Sequence, residues 1–206
     1  MKISVLTVTN RQTWRPWLTW NYEKQSWSDK ELLIEWDPPS LASGRNRLLA
    51  RATGAAVCWM DDDDWQHPDR LSIIARTLEC SGEAVVGNVR SLVINAFSLR
   101  GRWEVLGPWI FNGAGFRLHS VSAIKFDPSR YDEDWYWTRS VSQATGPGAV
   151  LNAPLLHAWL AHDENRFNRR ARGGFNTSPG EVAQWITDWA EVQARLSTMG
   201  FHPEQA

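Results

Sequence analysis

Apolar and polar positions alternate in a way that divides the first eighty residues into strands and helices. "ISVLTVT" (3–9) is a short β-rich run that stops at the polar Asn10 and Arg11. "ELLIEW" (31–36) is a second run, ended by "DPPS", whose paired prolines cannot continue a ladder. Ser43 then predicts the cap of a helix over "GRNRLLARAT", with Leu48, Leu49 and Ala52 on one side and Gly54 as terminator. "AAVCWM" (55–60) is uninterrupted apolar, as expected of a strand whose sheet is covered on both faces. Pro68 opens a helix, "PDRLSIIARTLEC", in which Leu71, Ile74, Ala75 and Leu78 recur at helical spacing. Strand and helix in regular alternation predict an α/β domain with a central, mostly parallel sheet flanked by helices.

Beyond residue 84 the pattern loosens. "AVVGNVRSLVI" predicts one or two further strands, "LGPWIFNGAGF" a glycine-bearing turn, "HSVSAIKF" a short helix and "SQATGPGAVLNAP" a loop of small residues. A helix over 178–199 is the clearest element. Ser178, Pro179 and Glu181 form a capping box with proline at the first helical position. Val182, Trp185, Ile186, Trp189, Val192, Leu196 and Met199 make a single apolar stripe that ends before Gly200.

Composition narrows the picture. With 206 residues, 43% of them hydrophobic, and a formal net charge of -1, the chain has the material for one domain and lacks the basic footprint of a broad nucleic-acid binder. No apolar run is long enough for a membrane span, and "MKISVLTVTNRQ" turns polar too early for a signal peptide, so a cytoplasmic location is expected. Cys58 and Cys80 do not make a disulfide framework, and both thiols read as buried and reduced. The fourteen tryptophans are mostly core material, with Trp14, Trp17, Trp20 and Trp27 as the stretch open to stacking on sugars, bases or another subunit.

The chemistry concentrates at "WMDDDDWQHPDRL", where Asp61, Asp62, Asp63 and Asp64 follow the predicted third strand. In open α/β sheets ligands gather outside the carboxyl ends of the strands, and Asn10, Asp37 and the four aspartates all fall there. Four like charges in one turn raise each other's pKa unless a cation joins them, and Mg²⁺ or Mn²⁺ prefers carboxylate oxygens together with substrate phosphates. A solvated acidic turn is the bland alternative. Nucleotide-binding glycine loops, a zinc-protease helix motif and a serine-hydrolase elbow are all missing from the sequence, and Trp65 breaks any EF-hand spacing.

Taken in order, "ISVLTVTNR", "IEWDPPS" and "GRNRLLARATGAAVCWMDDDDWQHPDRL" resemble the opening segments of GT-A-fold glycosyltransferases of the family-2-like group, which use nucleotide sugars. The resemblance spans roughly residues 3 to 170, and this sequence has "GRN" where the family has "ARN". It implies one domain over 1–206: a nucleotide-binding half over about 1–100, an acceptor and metal-completing half over about 101–177, and the C-terminal helix 178–199. By the same resemblance Thr9, Asn10 and Arg11 line the nucleotide pocket, Asp37 reads the base, and Arg45, Asn46, Asp61 and Asp62 flank the nucleotide. Asp61 and Asp63 form the D-x-D pair on Mn²⁺ or Mg²⁺, with His162 completing the shell. Asn112, Gly113 and Ala114 form the floor of the donor-sugar pocket.

Sugar transfer from a nucleoside diphosphate needs charge stabilisation on the leaving phosphate and a base for the acceptor hydroxyl. In "YDEDW" Asp134 is the expected base, with Asp132 and Glu133 as rivals, which implies an inverting, metal-dependent hexosyltransferase with a UDP-sugar as the foremost donor. The acceptor, a glycan or another hydroxyl-bearing molecule, is not specified by the sequence. "NRFNRRARGGFN" carries four arginines and reads equally as a lid over the diphosphate or a solvated loop, and it leaves nucleic acid as a weakly supported partner. Two other classes compete: a sugar-nucleotide nucleotidyltransferase, disfavoured because no glycine-rich loop follows the first strand, and a non-catalytic, tryptophan-rich carbohydrate-binding protein with a degenerate site.

Overall fold

The computed structural model describes residues 1–88, 90–105, 111–151, 156–162 and 175–201. Seven apolar-rich residues in extended backbone make β1 (Ile3–Thr9), and its alternation feeds two cores at once. Ile3 and Val5 pack on one face of the sheet, Leu6 and Val8 on the other. The helix α1 (Arg15–Glu23) follows a single 3-10 turn at Gln12–Trp14, with Pro16 in its first turn where its missing N–H costs nothing. β2 (Lys30–Trp36) then pairs parallel to β1, in register from Ile3 opposite Lys30 to Thr9 opposite Trp36.

The next helix, α2 (Leu41–Arg51), begins three residues before the expected start. Ser40 is the cap: its side chain accepts from the Ser43 N–H while Ser43 Oγ accepts from the Ser40 N–H, so Ser43 closes the box from inside the first turn. Gly44 lets this turn press against the sheet, for a Cβ there would lie 2.8 Å from Pro38 Cγ and 2.9 Å from Val8 Cγ1. β3 (Ala56–Trp59) lies parallel to β1 on its other side, and the acidic run leads out of it into the two-residue β4 (Trp65–Gln66). α3 (Arg70–Ser81) comes next, ending at Gly82 in the left-handed conformation.

The remaining elements are β5 (Val85–Gly87), β6 (Arg90–Asn95), β7 (Gly101–Val105), β8 (Gly115–Arg117), α4 (Leu118–Val121), α5 (Glu133–Thr145), β9 (Ala149–Val150), β10 (His157–Ala161), α6 (Pro179–Val182) and α7 (Trp189–Thr198). They build two sheets. The first has six strands in the order β2-β1-β3-β8-β5-β9, and the second has four in the order β4-β10-β6-β7. In the first sheet β2, β1 and β3 run parallel while β8 is antiparallel to both of its neighbours, so the expected mostly parallel sheet is parallel at the edge that carries the site. β4 pairs antiparallel with β10, so the aspartates occupy the turn in which the chain leaves one sheet and joins the other.

Both faces of the first sheet are covered, as the continuous apolar run of β3 predicts. On one side Val57, Trp59, Phe116, Phe126 and Trp137 pack with Leu48 and Leu49; on the other Ala56 and Cys58 meet Leu71, Ile74 and Leu78 of α3. The second sheet has its own core, in which Trp14, Trp17, Trp20 and Trp65 pack with Leu92, Ile94, Leu160, Val182, Ile186, Val192 and Leu196.

Four expectations are corrected. The single helix over 178–199 is two helices, α6 and α7, separated at 183–188. The break brings Asp188 to the start of α7, where it accepts from Trp65 Nε1 at 2.8 Å and from Lys24 Nζ at 2.6 Å while Val182, Ile186, Val192 and Leu196 stay buried. Trp14, Trp17 and Trp20 are buried rather than open to ligands, and the exposed tryptophans among the described residues are Trp135 and Trp185. Cys80 is exposed, whereas Cys58 is buried as expected. The helix expected from Pro68 starts at Arg70, with Pro68 and Asp69 forming the turn before it. Among the described residues no helix is long and apolar enough to cross a membrane. The arginine-rich stretch 166–172 and the loop residues 152–155 lie outside the described residues.

Candidate active site

The carboxyl ends of β1, β2 and β3 meet the start of α5 at a cavity of about 450 Å³. Thr9, Asn10 and Arg11 reach it from β1, Asp37 and Pro38 from the end of β2, and Arg45 from α2. Asp61 to Asp64 form one side, Asn112 another, and Tyr131, Glu133 and Asp134 a third. Parallel pairing explains the convergence, because it places equivalent ends of β1, β2 and β3 at one level. Asp37 holds φ at 45°, a left-handed conformation that aspartate tolerates better than most residues and that turns the chain sharply just past β2.

The four aspartates have four different surroundings. Asp62 is buried and accepts from Thr9 Oγ1 and from the Nε and Nη2 of Arg11. Asp63 pairs with Arg11 Nη1 at 2.8 Å and lies 3.0 Å from His162 Nε2. Asp64 lies 2.8 Å from His157 Nε2, and Asp61 accepts from Asn112 Nδ2 at 2.5 Å. The Asn112 amide also reaches Asp64 Oδ2 at 3.3 Å, so one side chain ties the first acid to the last.

These surroundings split the acidities. Burial pushes Asp63 up, but the His162 hydrogen bond and the Arg11 charge outweigh it and hold its carboxyl down at about 2. Asp62 is pushed up to about 6 by burial and by the Asp63 charge, against the pull of Arg11 and Thr9. Asp61 is also raised, by burial first, with Arg45 opposing and Asp63 and Asp134 adding repulsion. Burial alone would lower the Arg11 guanidinium, yet Asp63 and Asp62 together raise it. The turn is thus one firmly ionised carboxylate flanked by two that resist ionisation, a state that an incoming cation relieves.

Arg70 supports the turn from beneath. Its fully buried guanidinium donates to the carbonyl of Trp59 at 2.9 Å, to Gln66 Oε1 at 2.5 Å and to the carbonyl of Ala114 at 3.4 Å, so it joins both ends of the acidic segment to the Ala114 backbone.

At the start of α5 Glu133 Oε1 accepts from Arg45 Nη1 at 2.9 Å in a buried pair, with the guanidinium 4.8 Å from the Phe111 ring centroid and 5.4 Å from that of Phe126. Asp134, half-buried beside it, lines the cavity and accepts from its neighbour's N–H, Trp135 N, at 2.8 Å. Asp132 is exposed at the N-terminus of α5 and is not part of the wall. Of the three acids in "YDEDW", Asp134 therefore has an open path to a ligand, while Glu133 is engaged by Arg45.

Other expected site residues sit apart from the cavity wall. Asn46 clamps the backbone of Phe126, donating from Nδ2 to its carbonyl at 2.9 Å and accepting its N–H at 2.9 Å. Gly113 and Ala114 are buried behind Asn112. His162 is fully buried behind Asp63, its ring stacked 4.4 Å from Trp14. His157 and Tyr131 join the site without having been expected there. For His157 the signal in the sequence is a lone histidine inside the apolar "LLHAWLA", since a buried imidazole requires polar partners.

The donor set suits a hard divalent cation: the oxygens of Asp61 and Asp63, the imidazole of His162, and the buried Asn112 Oδ1, which has no hydrogen-bond partner among the described residues. As the side chains stand, no three His, Cys, Asp or Glu among the described residues are grouped closely enough to hold one. Asp63 faces Arg11 and His162, and Asp61 faces Asn112.

Residues 35–126 match the family model described as glycosyl transferase family 2, and the fold is that of the GT-A glycosyltransferases. Among solved structures, Staphylococcus aureus TarS 1–349 in complex with UDP is similar over 97% of this chain and 74% of that one, at 14% identity and a TM-score of 0.60. The mannosyltransferase PcManGT from Pyrobaculum calidifontis, in complex with GDP-Man and Mn²⁺, is similar over 96% of this chain and 73% of that one, at 12% identity and a TM-score of 0.60. Glucosyl-3-phosphoglycerate synthase from Mycobacterium tuberculosis, in complex with Mn²⁺, UDP-glucose and phosphoglyceric acid, is similar over 83% of this chain and 76% of that one, at 14% identity and a TM-score of 0.57. No curated protein matches the chain.

Proposed function

We propose that the protein transfers a sugar from a nucleoside-diphosphate donor to an acceptor hydroxyl, with a divalent cation at the acidic turn and with inversion at the transferred carbon. The observation that carries this reading is the convergence on one cavity of Asp37, the acidic turn and Asp134. Asp37 and Asn10 stand at the strand ends where a nucleobase is read, and Arg11 and Arg45 supply positive charge for the diphosphate. Asp61 and Asp63, with His162, hold Mn²⁺ or Mg²⁺ once their contacts to Asn112 and Arg11 loosen. The cation, when bound, acts as a Lewis acid on the leaving diphosphate. Asn112 forms the edge of the donor-sugar pocket.

Asp134 takes the acceptor proton. Its carboxylate lines the same cavity as the acidic turn, where it can take the proton of a hydroxyl that attacks the transferred carbon. Glu133 serves as counter-ion to Arg45 rather than as base. A UDP-sugar is the donor to test first.

Calorimetry with UDP in the presence and absence of Mn²⁺ tests the binding half of the proposal. A metal-dependent heat of binding that Asp63→Ala removes is the expected result, and equal binding with and without metal defeats it. Asp134→Asn should abolish transfer while sparing UDP binding. Loss of both would make Asp134 a structural residue.

A further inference from the structure

The scheme leaves His157 unused. His157 opens β10 with its side chain fully buried, between Ser91 on the neighbouring strand β6 and Asp64 in the acidic turn. Ser91 Oγ donates to the His157 carbonyl at 2.9 Å and lies 3.1 Å from Nδ1 of the same residue. The other ring nitrogen, Nε2, lies 2.8 Å from Asp64 Oδ2. Serine, histidine and aspartate in a row resemble a hydrolytic triad, but Ser91 is fully buried and its hydroxyl points at a backbone carbonyl, so it has no route to a substrate.

The same Asp64 oxygen that faces His157 also faces Asn112 Nδ2, whose stronger bond goes to Asp61 Oδ2 at 2.5 Å. A continuous line of contacts therefore runs from the second sheet through His157, Asp64 and Asn112 to the first acid of the D-x-D pair. Strand β10 grips the turn again just past its other end, where His162 meets Asp63.

We infer that His157 is a positioning residue for the acidic turn, orienting Asp64 and, through Asn112, the face that Asp61 presents to the donor's diphosphate and its cation. The inference rests on the functional reading above. Residues that orient ligating side chains without touching the metal typically change metal affinity by about 10- to 100-fold when replaced.

The test is Mn²⁺-dependent UDP binding, followed by calorimetry on the full chain, for the parent, His157→Leu, His157→Gln and Asp64→Asn. His157→Leu should weaken it by about 10-fold. His157→Gln, which keeps an N–H to offer Asp64, should recover most of that loss, a rescue that simple cavity filling would not give. UDP binding measured in EDTA should be equal in the parent and the two His157 variants. Parent-like metal-dependent binding in His157→Leu overturns the inference while leaving the functional reading intact. A parent that shows no metal-dependent UDP signal overturns the reading, and the inference with it. If His157→Leu fails to fold, the shorter His157→Asn, alone and in the Asp64→Asn background, decides: a loss alone with no additional loss in that background supports the inference, and no loss alone or fully additive losses overturn it.

Discussion

Replacing Arg45 by methionine should cost more stability than any other single change at the cavity. The guanidinium is buried, its ion pair with Glu133 measures 2.9 Å, and its carbon lies 4.8, 5.4 and 5.7 Å from the ring centroids of Phe111, Phe126 and Trp59. Methionine keeps much of the packing volume but strands the Glu133 carboxylate, and breaking a buried pair from one side costs about 3–5 kcal/mol. Glu133→Gln retains a hydrogen-bonding oxygen and leaves a cation among aromatic faces, so its cost should be nearer 1–3 kcal/mol. Because the second change removes the charge that the first one strands, the double variant should be less destabilised than the sum by about 2 kcal/mol. Urea unfolding of the metal-free chain at pH 7, read by tryptophan fluorescence at unchanged slope, measures all three. Additive costs, or an Arg45→Met loss below about 1 kcal/mol, would refute the claim that this pair is buried and coupled. Arg45 is also the main positive charge opposing the rise in the Asp61 pKa, so Arg45→Met should additionally make cation binding more sensitive to acid.

The raised pKa of Asp62 gives a pH signature in the metal-free protein. Its folded value of about 6 lies above the ordinary 3.8, so the folded state holds this proton more tightly and its contribution to stability is lost as pH rises between those values. Asp62→Asn removes that loss: between pH 4 and 6 its stability relative to the parent should climb, by at most about 1.4 kcal/mol per pH unit, and a flat difference would contradict the assignment. Gly44→Val should lower stability by about 1–3 kcal/mol, because the added Cβ meets Pro38 and Val8 at under 3 Å; an unchanged urea midpoint would show that α2 can lift away at no cost.

The parallel edge of the first sheet is legible in the sequence because β1, β2 and β3 declare themselves locally, by apolar runs that stop at proline or aspartate. Their shared polarity then fixes where the ligands collect, so the order of the runs alone brings Asn10, Asp37 and the acidic turn together. The second sheet is not legible in this way. β4 has two residues, and β6 and β10 pair across some sixty positions, a relation that no local period encodes. That sheet is also why Trp14, Trp17 and Trp20 are core: the polar residues between them suggest exposure, but α1 supplies one face of a sheet the pattern does not announce. Val182, Ile186, Val192 and Leu196 of the C-terminal stripe are buried as its spacing predicts and Trp185 is exposed, while the interruption of the stripe depends on what Asp188 finds at Trp65 and Lys24. Residue spacing likewise cannot reveal that Glu133 pairs with Arg45 or that Asn46 turns to the Phe126 backbone, since both partners are about eighty or more residues distant.

The acidic turn is also the seam between the two sheets, leaving β3 on one side and entering β4 on the other. Asp62 is fastened to the first sheet through Thr9 and Arg11, whereas Asp63 and Asp64 are fastened by His162 and His157 beside and within the second. A ligand that draws these carboxylates together acts as a rivet through that seam. Its occupancy would then be felt mechanically at a distance: slower hydrogen exchange along β10 and on into β6 would report a full site.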